Sequence, residues 1–335
     1  MDEIITLAHG SGGRAMNRLI DETIGQYFRD ITPMDDYAVM QSSQGNMKTV
    51  FSTDSFVITP RQFNGGDIGK LSVYGSCNDV AMSGAKPTHL TCALIIEEGF
   101  LFSELKSILQ SMAQAAKECG VSIATGDTKV VPKGAADGLF INTTALAHAS
   151  QEIVFAQSNI KPGDKIIVSR DIGKHGACIA DSRSELGLSY DIKSDCAHLW
   201  PLLESVQHLY PKIRYTRDAT RGGIAAVLNE LAFGSDTQFV IDETVIPVSP
   251  QVEGLCDILG LDPLYLANEG TLICIADADI ADEVVRCFAQ HDIARQACVI
   301  GEVIDGRNGS VSITSMLGVE RLLDMPEGDL LPRIC

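Results

Sequence analysis

Three aspartates stand at the edges of apolar stretches, where a lone carboxylate is costly to bury. Asp54 lies inside a strand-like run at 49–58, and Asp79 lies near the end of a helical stretch. Asp127 directly follows the apolar run 121–124. Carboxylate oxygens are the ligands that Mg²⁺ takes when it carries a nucleotide, together with phosphates and waters. Each aspartate alone is typical of a cap or turn, but the three together favour a Mg²⁺–nucleotide site.

A glycine-rich turn precedes the first helical pattern, in the order His9-Gly10-Ser11-Gly12-Gly13-Arg14. Backbone N–H groups and the helix dipole at such a helix start favour a bound phosphate. Lys129, close to Asp127 in the chain, adds a positive charge suited to the same anion. These features favour ATP as the nucleotide. A flexible N-terminal turn without a ligand is an equally simple interpretation of the glycines.

The sequence ends on Cys335, so a thiol shares one residue with the terminal carboxylate. Pro326 and Gly328, two residue types that break regular structure, lie in the segment leading to it. The residues from Asp324 to the end span roughly 40 Å when extended. The thiol can therefore visit a distant site on its own protein or on a partner. The alternative is a frayed tail with an incidental cysteine.

A second glycine-rich helix start lies at Thr216-Arg217-Asp218-Ala219-Thr220-Arg221-Gly222-Gly223. This segment precedes a predicted helix at 224–233 and contains an acid, hydroxyl side chains and arginines. Asn268-Glu269-Gly270 precedes a predicted strand at 271–276, and Glu269 taken alone is a turn carboxylate. His175, at another helix start, is expected to form a local hydrogen bond rather than to act as a ligand or base.

Alternating strand and helix patterns predict a mixed α/β fold. Strands are expected at 49–58, 89–97, 121–124 and 139–147, with 89–97 buried. Helices are expected at 71–84 and 103–119, the second ended by Gly120. In the second half, strands are expected at 165–169, 298–304 and 310–315, and a helix near 280–290. We predict α/β domains at 1–155 and 156–320, followed by a mobile tail at 321–335.

The composition is that of an ordinary globular protein, with 335 residues, 45% hydrophobic and 21% charged. A net charge of −18 without a Lys/Arg-rich run disfavours nucleic-acid and anionic-membrane partners. No apolar run approaches the length of a membrane span, and the first residues lack a signal-peptide pattern. The ten cysteines contain no CxxC pair, which predicts reduced thiols in a cytoplasmic protein.

Two familiar nucleotide motifs are present only in incomplete form. The segment 63–70 looks like a phosphate-binding loop, but its glycine spacing and Leu71 after Lys70 do not fit. Gly10-x-Gly12-x-x-Ala15 fits a loose dinucleotide fingerprint without a convincing strand–helix–strand unit behind it. An NAD-dependent dehydrogenase is therefore a weak alternative. A non-enzymatic thiol carrier acting through Cys335 is another alternative, and it needs no ATP.

Nine blocks of the sequence together resemble the HypE family, the carbamoyl dehydratases of nickel–iron hydrogenase maturation. The blocks are HGSGG (9–13), STDSFVI (52–58), GGDIGKL (65–71), NDVAMSGAKP (78–87), IIEEGF (95–100), VSIATGDTKVV (121–131), RDATRGG (217–223), LANEG (266–270) and the terminal PRIC. They span nearly the whole chain, and PRIC is the most specific. The family is related to aminoimidazole-ribonucleotide synthetase, selenophosphate synthetase and thiamine-monophosphate kinase.

The resemblance implies two mixed α/β domains of the PurM-like type and ATP bound at the interface of a homodimer. Residues 1–155 would form the ATP-binding and dimerisation domain. The implied cofactors are ATP and Mg²⁺, and the implied metal ligands are Asp36, Asp54, Asp79 and Asp127. The implied nucleotide-binding residues are Gly10, Ser11, Gly12, Gly13, Asp54, Asp79, Asp127, Thr128 and Asp218.

The resemblance also implies a reaction. A HypF-type carbamoyltransferase would load Cys335 as an S-carboxamide, and ATP-dependent loss of water would convert it to an S-cyanide (thiocyanate). Lys129 would stabilise the transferring phosphoryl group, and Glu269 would accept protons as the general base. A HypC–HypD-type scaffold would receive the cyanide ligand for the hydrogenase iron. Another ATP-dependent enzyme of the same superfamily is the alternative, and it would not need Cys335.

Overall fold

The computed structural model describes residues 4–10, 13–24, 26–27, 36–41, 46–183, 190–233, 235–306 and 309–326. The α-helices are α1 (Arg14–Arg18), α2 (Ile68–Ala81), α3 (Phe102–Cys119), α4 (Lys174–Arg183), α5 (Trp200–Ser205), α6 (Gly223–Ala232), α7 (Pro250–Leu259) and α8 (Ala281–Phe288). The strands are β1 (Ala38–Gln41), β2 (Met47–Phe56), β3 (Gln62–Phe63), β4 (Gly66–Asp67), β5 (Pro87–Glu97), β6 (Ser122–Val131), β7 (Leu139–Ser150), β8 (Lys165–Val168), β9 (Ile213–Asp218), β10 (Thr237–Asp242), β11 (Leu272–Ala276), β12 (Cys298–Asp305), β13 (Ser310–Thr314) and β14 (Glu320–Leu322). Within these ranges, no helix is long and apolar enough to cross a bilayer.

The first half of the chain forms a five-stranded sheet in the order β1-β2-β7-β5-β6. Strands β5 and β6 run parallel, and the other neighbours are antiparallel. Helices α2 and α3 pack on one face and enclose a core that includes Leu71, Ile108 and Ile141. The Asp67 side chain caps α2 by accepting from the Lys70 N–H at 2.8 Å. Gly120 ends α3 in the left-handed conformation, as the sequence predicts.

The opposite face of this sheet is not covered by a helix of the described chain. The sequence predicts a buried strand at 89–97, but Ile95 on β5 is 42% exposed, so this expectation is wrong for the single chain. The physical reason is that α2 and α3 cover only one face, and alternate side chains project from the other. β6 forms one edge of the sheet, and Val130 there is 68% exposed. We call the uncovered side the open face.

The second half forms a seven-stranded sheet in the order β14-β13-β10-β12-β8-β11-β9. Strands β10 and β13 are parallel, and the remaining pairs are antiparallel. Every residue of β11 is buried, because helices and loops cover both of its faces. The expected strands at 271–276, 298–304 and 310–315 appear as β11, β12 and β13, and the mixed α/β fold is confirmed.

The predicted tail at 321–335 starts too early. Strand β14 contains Arg321 and Leu322 and pairs with β13, and Leu323 is only 1% exposed. Six polar and apolar residues at 321–326 therefore belong to the described fold. Strand β14 has only three residues, which is too short for a sequence pattern to predict. It is a strand because it pairs with β13. Cys335 lies outside the described residues.

Candidate active site

Five acidic side chains from separate parts of the fold influence one another electrostatically. Asp36 precedes β1, Asp54 lies on β2, Asp79 lies on α2, Asp218 ends β9, and Glu269 lies in the loop before β11. After the larger effect of burial, Asp54 and Asp218 raise the pKa of both Asp79 and Glu269. Asp36 raises the pKa of Asp79 and Asp218, and Asp54 also raises that of Asp218. We call these five side chains the carboxylate cluster. It draws its members from both sheets.

Asp54 and Asp79 meet because β2 and α2 pack closely. Asp54 pairs in register with Thr143, whose buried side chain faces α2, where it hydrogen-bonds to Ser76. The negative charge of Asp54 raises the pKa of Asp79, after the larger effect of burial. The Ser52 hydroxyl donates to Asp79 Oδ2 at 2.6 Å. Two carboxyls that act on each other in this way need a shared proton or a nearby positive charge.

Burial and mutual repulsion weaken the acidity of the cluster. Burial raises the pKa of Asp79 well above its usual range, and Asp54 raises it further. Burial likewise raises the pKa of Asp218, with a further rise from Asp36 and a fall from Arg217. Burial raises the pKa of Glu269 well above its usual range, with Asp218 adding to the effect. The cluster therefore favours any species that brings positive charge to it.

Two arginines that the sequence analysis left without a role flank the cluster. The Arg217 guanidinium contacts Asp36 at 2.9 Å and Glu230 at 2.8 Å, and its side chain is 15% exposed. The charge of Arg221 lowers the pKa of both Asp54 and Glu269. Both arginines belong to the RDATRGG block, so the sequence signal was present. Only the fold shows which acids they face.

The Glu269 loop is fixed by Asp195, which the sequence analysis missed. The Asp195 carboxylate accepts hydrogen bonds from Glu269 N–H at 3.1 Å, Gly270 N–H at 3.0 Å and Thr271 Oγ1 at 2.9 Å. A Cβ on Gly270 would overlap the carbonyl oxygen of Asp195, so only glycine fits there. Asp195 lies far from this loop in the chain, and no spacing pattern in the sequence predicts the contact.

A single chain does not bring Asp127 to the carboxylate cluster. Asp127 on β6 pairs in register with Ala93, the neighbour of Cys92, whose thiol contacts Met112 of α3. Since side chains alternate along a strand, Asp127 projects from the open face, whereas Asp54 faces α2. Strands β7 and β5 separate β2 from β6, which corresponds to about 14 Å at the usual strand spacing.

Asp127, Thr128 and Lys129 form a local group on β6. The Lys129 ammonium lies 2.8 Å from Asp127 Oδ2, and the Thr128 N–H donates to Asp127 Oδ1 at 2.9 Å. The Asp127 and Lys129 side chains are 60% and 68% exposed. An exposed ion pair of this kind contributes little to stability. The group is therefore available to a ligand that reaches the open face.

The donor chemistry of the cluster suits Mg²⁺, because carboxylate oxygens are hard ligands. The buried Asp79 carboxyl, whose pKa is raised by burial and by the charge of Asp54, is an observation in favour, since a divalent cation would relieve this repulsion. In the part of the chain that the structure describes, however, no three His, Cys, Asp or Glu side chains are arranged as a metal site. The cluster supplies ligands for a cation whose remaining ligands must come from elsewhere.

The described part of the N-terminal glycine turn lies against the end of the described chain. Gly10 ends a short 3₁₀-helix, and Gly13 precedes α1. Gly13 has a φ of 98°, and a Cβ there would overlap the carbonyl oxygen of Pro326. Ser11 and Gly12 lie outside the described residues. His175 is fully buried, and its Nδ1 lies 2.9 Å from Ser194 Oγ. This hydrogen bond joins two distant parts of the chain and is not the local one that the sequence predicts.

Two protein-family models match the chain, one in each half. Residues 34–149 match the family described as AIR synthase related protein, N-terminal domain. Residues 161–314 match AIR synthase related protein, C-terminal domain. Together these matches cover most of the chain and agree with the two sheets.

Individual proteins match over the full length. Carbamoyl dehydratase HypE of Rhodobacter capsulatus is 44% identical, over 100% of this chain and 99% of that protein. The crystal structure of a HypE–HypF complex aligns with a TM-score of 0.86 at 41% identity, over 92% of this chain and 99% of that one. A crystal structure of hydrogenase maturation protein HypE in complex with ATP aligns with a TM-score of 0.83 at 40% identity, over 99% of this chain and 100% of that one.

Proposed function

This chain belongs to the carbamoyl dehydratase HypE family, and we propose that it dehydrates an S-carboxamide on its own Cys335 in an ATP-dependent reaction. The product is an S-cyanide that supplies the cyanide ligand of a hydrogenase iron. The observation that carries this proposal is the place of Glu269. The charges of Asp218 and Asp54 act on this buried carboxylate, whose pKa is raised mainly by burial, so a candidate base stands near a candidate cation ligand.

The chemistry needs a good leaving group, because an amide oxygen leaves poorly as hydroxide. The carboxamide oxygen attacks the γ-phosphorus of ATP, so an O–P bond forms and ADP departs. The C–O bond then breaks, and the oxygen leaves within inorganic phosphate. The two protons on the nitrogen are removed, and the carbon–nitrogen bond becomes a nitrile. The bond between the Cys335 sulfur and the reacting carbon stays intact throughout, so the cyanide remains attached to the protein.

Glu269 is suited to accept the nitrogen protons. A general base works best when its pKa lies near the working pH, and burial moves the pKa of Glu269 in that direction. Asp195 fixes the backbone on both sides of the carboxylate, so the base is held in one position. Arg221 offsets part of the pKa increase, which keeps the ionised form accessible.

ATP and Mg²⁺ complete the proposed site. Asp36, Asp54 and Asp79 would hold the cation from one chain, with Asp127 and the nucleotide phosphates as further ligands. Mg²⁺ would neutralise the charge that develops on the transferring phosphoryl group. Lys129 would contact the same group, and Thr128 and Asp218 would orient the nucleotide. Gly10, Ser11 and Gly12 are proposed near the nucleotide on the sequence argument alone. Gly13, which the same argument includes, lies against Pro326.

We propose a homodimer as the active form, because one chain leaves Asp127 on the wrong face of its sheet. The open face and the free edge of β6 carry exposed apolar side chains, including Ile95, Ile123 and Val130. A second chain placed over this face would bury them. It would also bring Asp127 of the partner subunit towards a cluster on the first chain.

The remaining parts of the proposal concern partners and organisation. A HypF-type carbamoyltransferase loads Cys335, and a HypC–HypD-type scaffold accepts the cyanide. A location in the cytoplasm is in keeping with the cysteines, all free thiols within the described ranges. We retain the division of the chain near residue 155, with ATP binding and dimerisation in the first domain.

The test measures ADP release and the mass of the C-terminal peptide with a carbamoyltransferase, carbamoyl phosphate and ATP. Wild type should release ADP and form the S-cyanide, whereas Cys335→Ala should do neither. Cys287→Ala, which removes a partly exposed thiol on α8, is the matched control and should behave as wild type. ATP turnover that ignores Cys335 would favour another enzyme of the superfamily. A loaded thiol without ATP use would favour the carrier alternative.

A further inference from the structure

The last described residues are anchored to the second sheet by a series of contacts. The buried Leu323 donates its N–H to the Val311 carbonyl at 2.9 Å, and its own carbonyl accepts from Asn229 Nδ2 at 3.0 Å. The Tyr265 hydroxyl donates to the Asp324 carbonyl at 3.1 Å. The chain is therefore held in place up to Asp324 by side chains from α6 and the loop before β11.

Pro326 lies between two glycines that come from opposite ends of the sequence. A Cβ on Gly13 would overlap the carbonyl oxygen of Pro326 and lie 3.5 Å from its ring Cγ. A Cβ on Gly222 would lie 3.2 Å from the same Cγ. Gly13 and Gly222 thus enclose Pro326, and neither glycine position has room for a side chain.

Both glycines also adopt backbone conformations that other residues avoid. The φ of Gly13 is 98° and the φ of Gly222 is 75°. Side chains other than glycine are rare in this region of φ. Gly222 is the N-cap residue of α6 and directly follows Arg221, whose charge acts on Asp54 and Glu269. Pro326 therefore lies against Gly222, and the next residue in the chain, Arg221, acts on the carboxylate cluster.

We propose that Gly13 and Gly222 form a clasp that fixes Pro326 as the starting point of the segment carrying Cys335. The two glycines act as positioning residues for the dehydration step, and this inference rests on the proposed function. It gives Gly13 a task different from phosphate binding. The segment beyond the clasp, 327–335, reaches at most about 30 Å.

The clasp matters because it sets where the thiol searches for its site. A tethered group reacts according to its effective concentration, which is highest when the tether starts close to the site and matches the distance. The clasp holds that starting point against Gly222, whose chain neighbour Arg221 carries the charge that acts on Asp54 and Glu269. The segment that starts at Pro326 is also long enough to present Cys335 to a second protein.

The experiment compares Gly13→Ala with Gly163→Ala in the full chain. Gly163 has a φ of 94°, and nothing lies within 4 Å of a Cβ there, so this control reproduces the backbone strain without the clash. Three quantities are measured: loading of Cys335 by the carbamoyltransferase, ATP affinity by calorimetry, and single-turnover dehydration of the loaded tail. We expect loading and ATP affinity of the two variants to agree, and dehydration by Gly13→Ala to be roughly 10- to 100-fold slower.

Equal dehydration rates for the two variants would overturn the clasp. A fall in ATP affinity of Gly13→Ala would also overturn it, because it would place Gly13 in the nucleotide site. Failure of wild type to dehydrate its loaded tail would instead contradict the proposed function, so the two failures are distinguishable.

Pro326→Gly provides a second route if Gly13→Ala does not fold. This variant removes the ring that both glycines contact, introduces no clash, and leaves Leu323 and Asp324 in place. We expect slower dehydration, by roughly tenfold, with unchanged loading and ATP affinity. An unchanged dehydration rate in Pro326→Gly would contradict the clasp regardless of how Gly13→Ala behaves.

Discussion

The carboxylate of Asp195 accepts a 3.1 Å hydrogen bond from the backbone N–H of Glu269. The negative charge of Asp195 also raises the pKa of Glu269, after the larger effects of burial and Asp218. One buried acid therefore fixes the position of the proposed base and helps to set its basicity. These two effects can be separated by experiment.

Asp195→Asn should shift the pH dependence of dehydration. Removing the negative charge lowers the pKa of Glu269, so the limb of the pH–rate profile that reflects its ionisation moves to lower pH. The rate on the plateau should fall, because an amide leaves one of the loop donors poorly matched. Single-turnover rates across pH check this, with Asp292→Asn, an exposed site, as the control. A profile that moves to higher pH would contradict this assignment.

Glu269→Gln should block dehydration while leaving the earlier steps intact. Loss of a general base typically costs about 10²- to 10⁴-fold in rate. Loading of Cys335 and binding of ATP should be close to wild type, because neither needs a proton acceptor at Glu269. Intact-mass measurement should show the carboxamide accumulating on the tail. A normal rate of cyanide formation in Glu269→Gln would assign the base elsewhere.

Glu269→Gln should also change how stability depends on pH. The folded-state pKa of Glu269 is raised, so the folded protein binds this proton more tightly than the unfolded chain does. Wild type then loses stability as pH rises above the unfolded pKa of about 4.3, up to the folded pKa. The glutamine variant lacks this loss and should gain stability relative to wild type over that range. Denaturant unfolding in a chelator at several pH values measures the difference.

Much of the fold follows from the local pattern of residues. The amphipathic helix α3 and its Gly120 cap follow from spacing and from the left-handed conformation that glycine tolerates. The buried strand β11 follows from a continuous apolar run. The exposure of β5 does not follow, because a run of apolar residues does not reveal whether one face of the strand is left uncovered.

Some residues of the site could be predicted from the sequence, and others could not. Asp54, Asp79 and Glu269 could be predicted from the sequence, because each is a carboxylate in or next to an apolar element. Asp195 and the clasp around Pro326 depend on contacts between residues far apart in the chain, which no local pattern encodes. The face on which Asp127 lies depends on the register between β5 and β6. This pairing contains a β-bulge, and the sequence alone does not give its position.

The composite site predicts that two inactive variants restore each other. Asp79→Asn and Asp127→Asn should each be inactive alone. In a mixed dimer with two symmetric sites, one site combines the intact Asp79 of one chain with the intact Asp127 of the other. Random exchange should therefore recover about a quarter of wild-type activity. A mixture as inactive as its components would place both aspartates in the site of a single chain.

Transfer of the carboxamide oxygen to phosphate is the central chemical claim. The most direct measurement loads Cys335 with carbamoyl phosphate whose carbonyl oxygen is ¹⁸O, adds ATP, and analyses the phosphate and the tail by mass spectrometry. The account predicts that the label appears in inorganic phosphate while the tail loses one water and becomes the S-cyanide. Label that appears in water, with unlabelled phosphate, would contradict phosphorylation of the carboxamide.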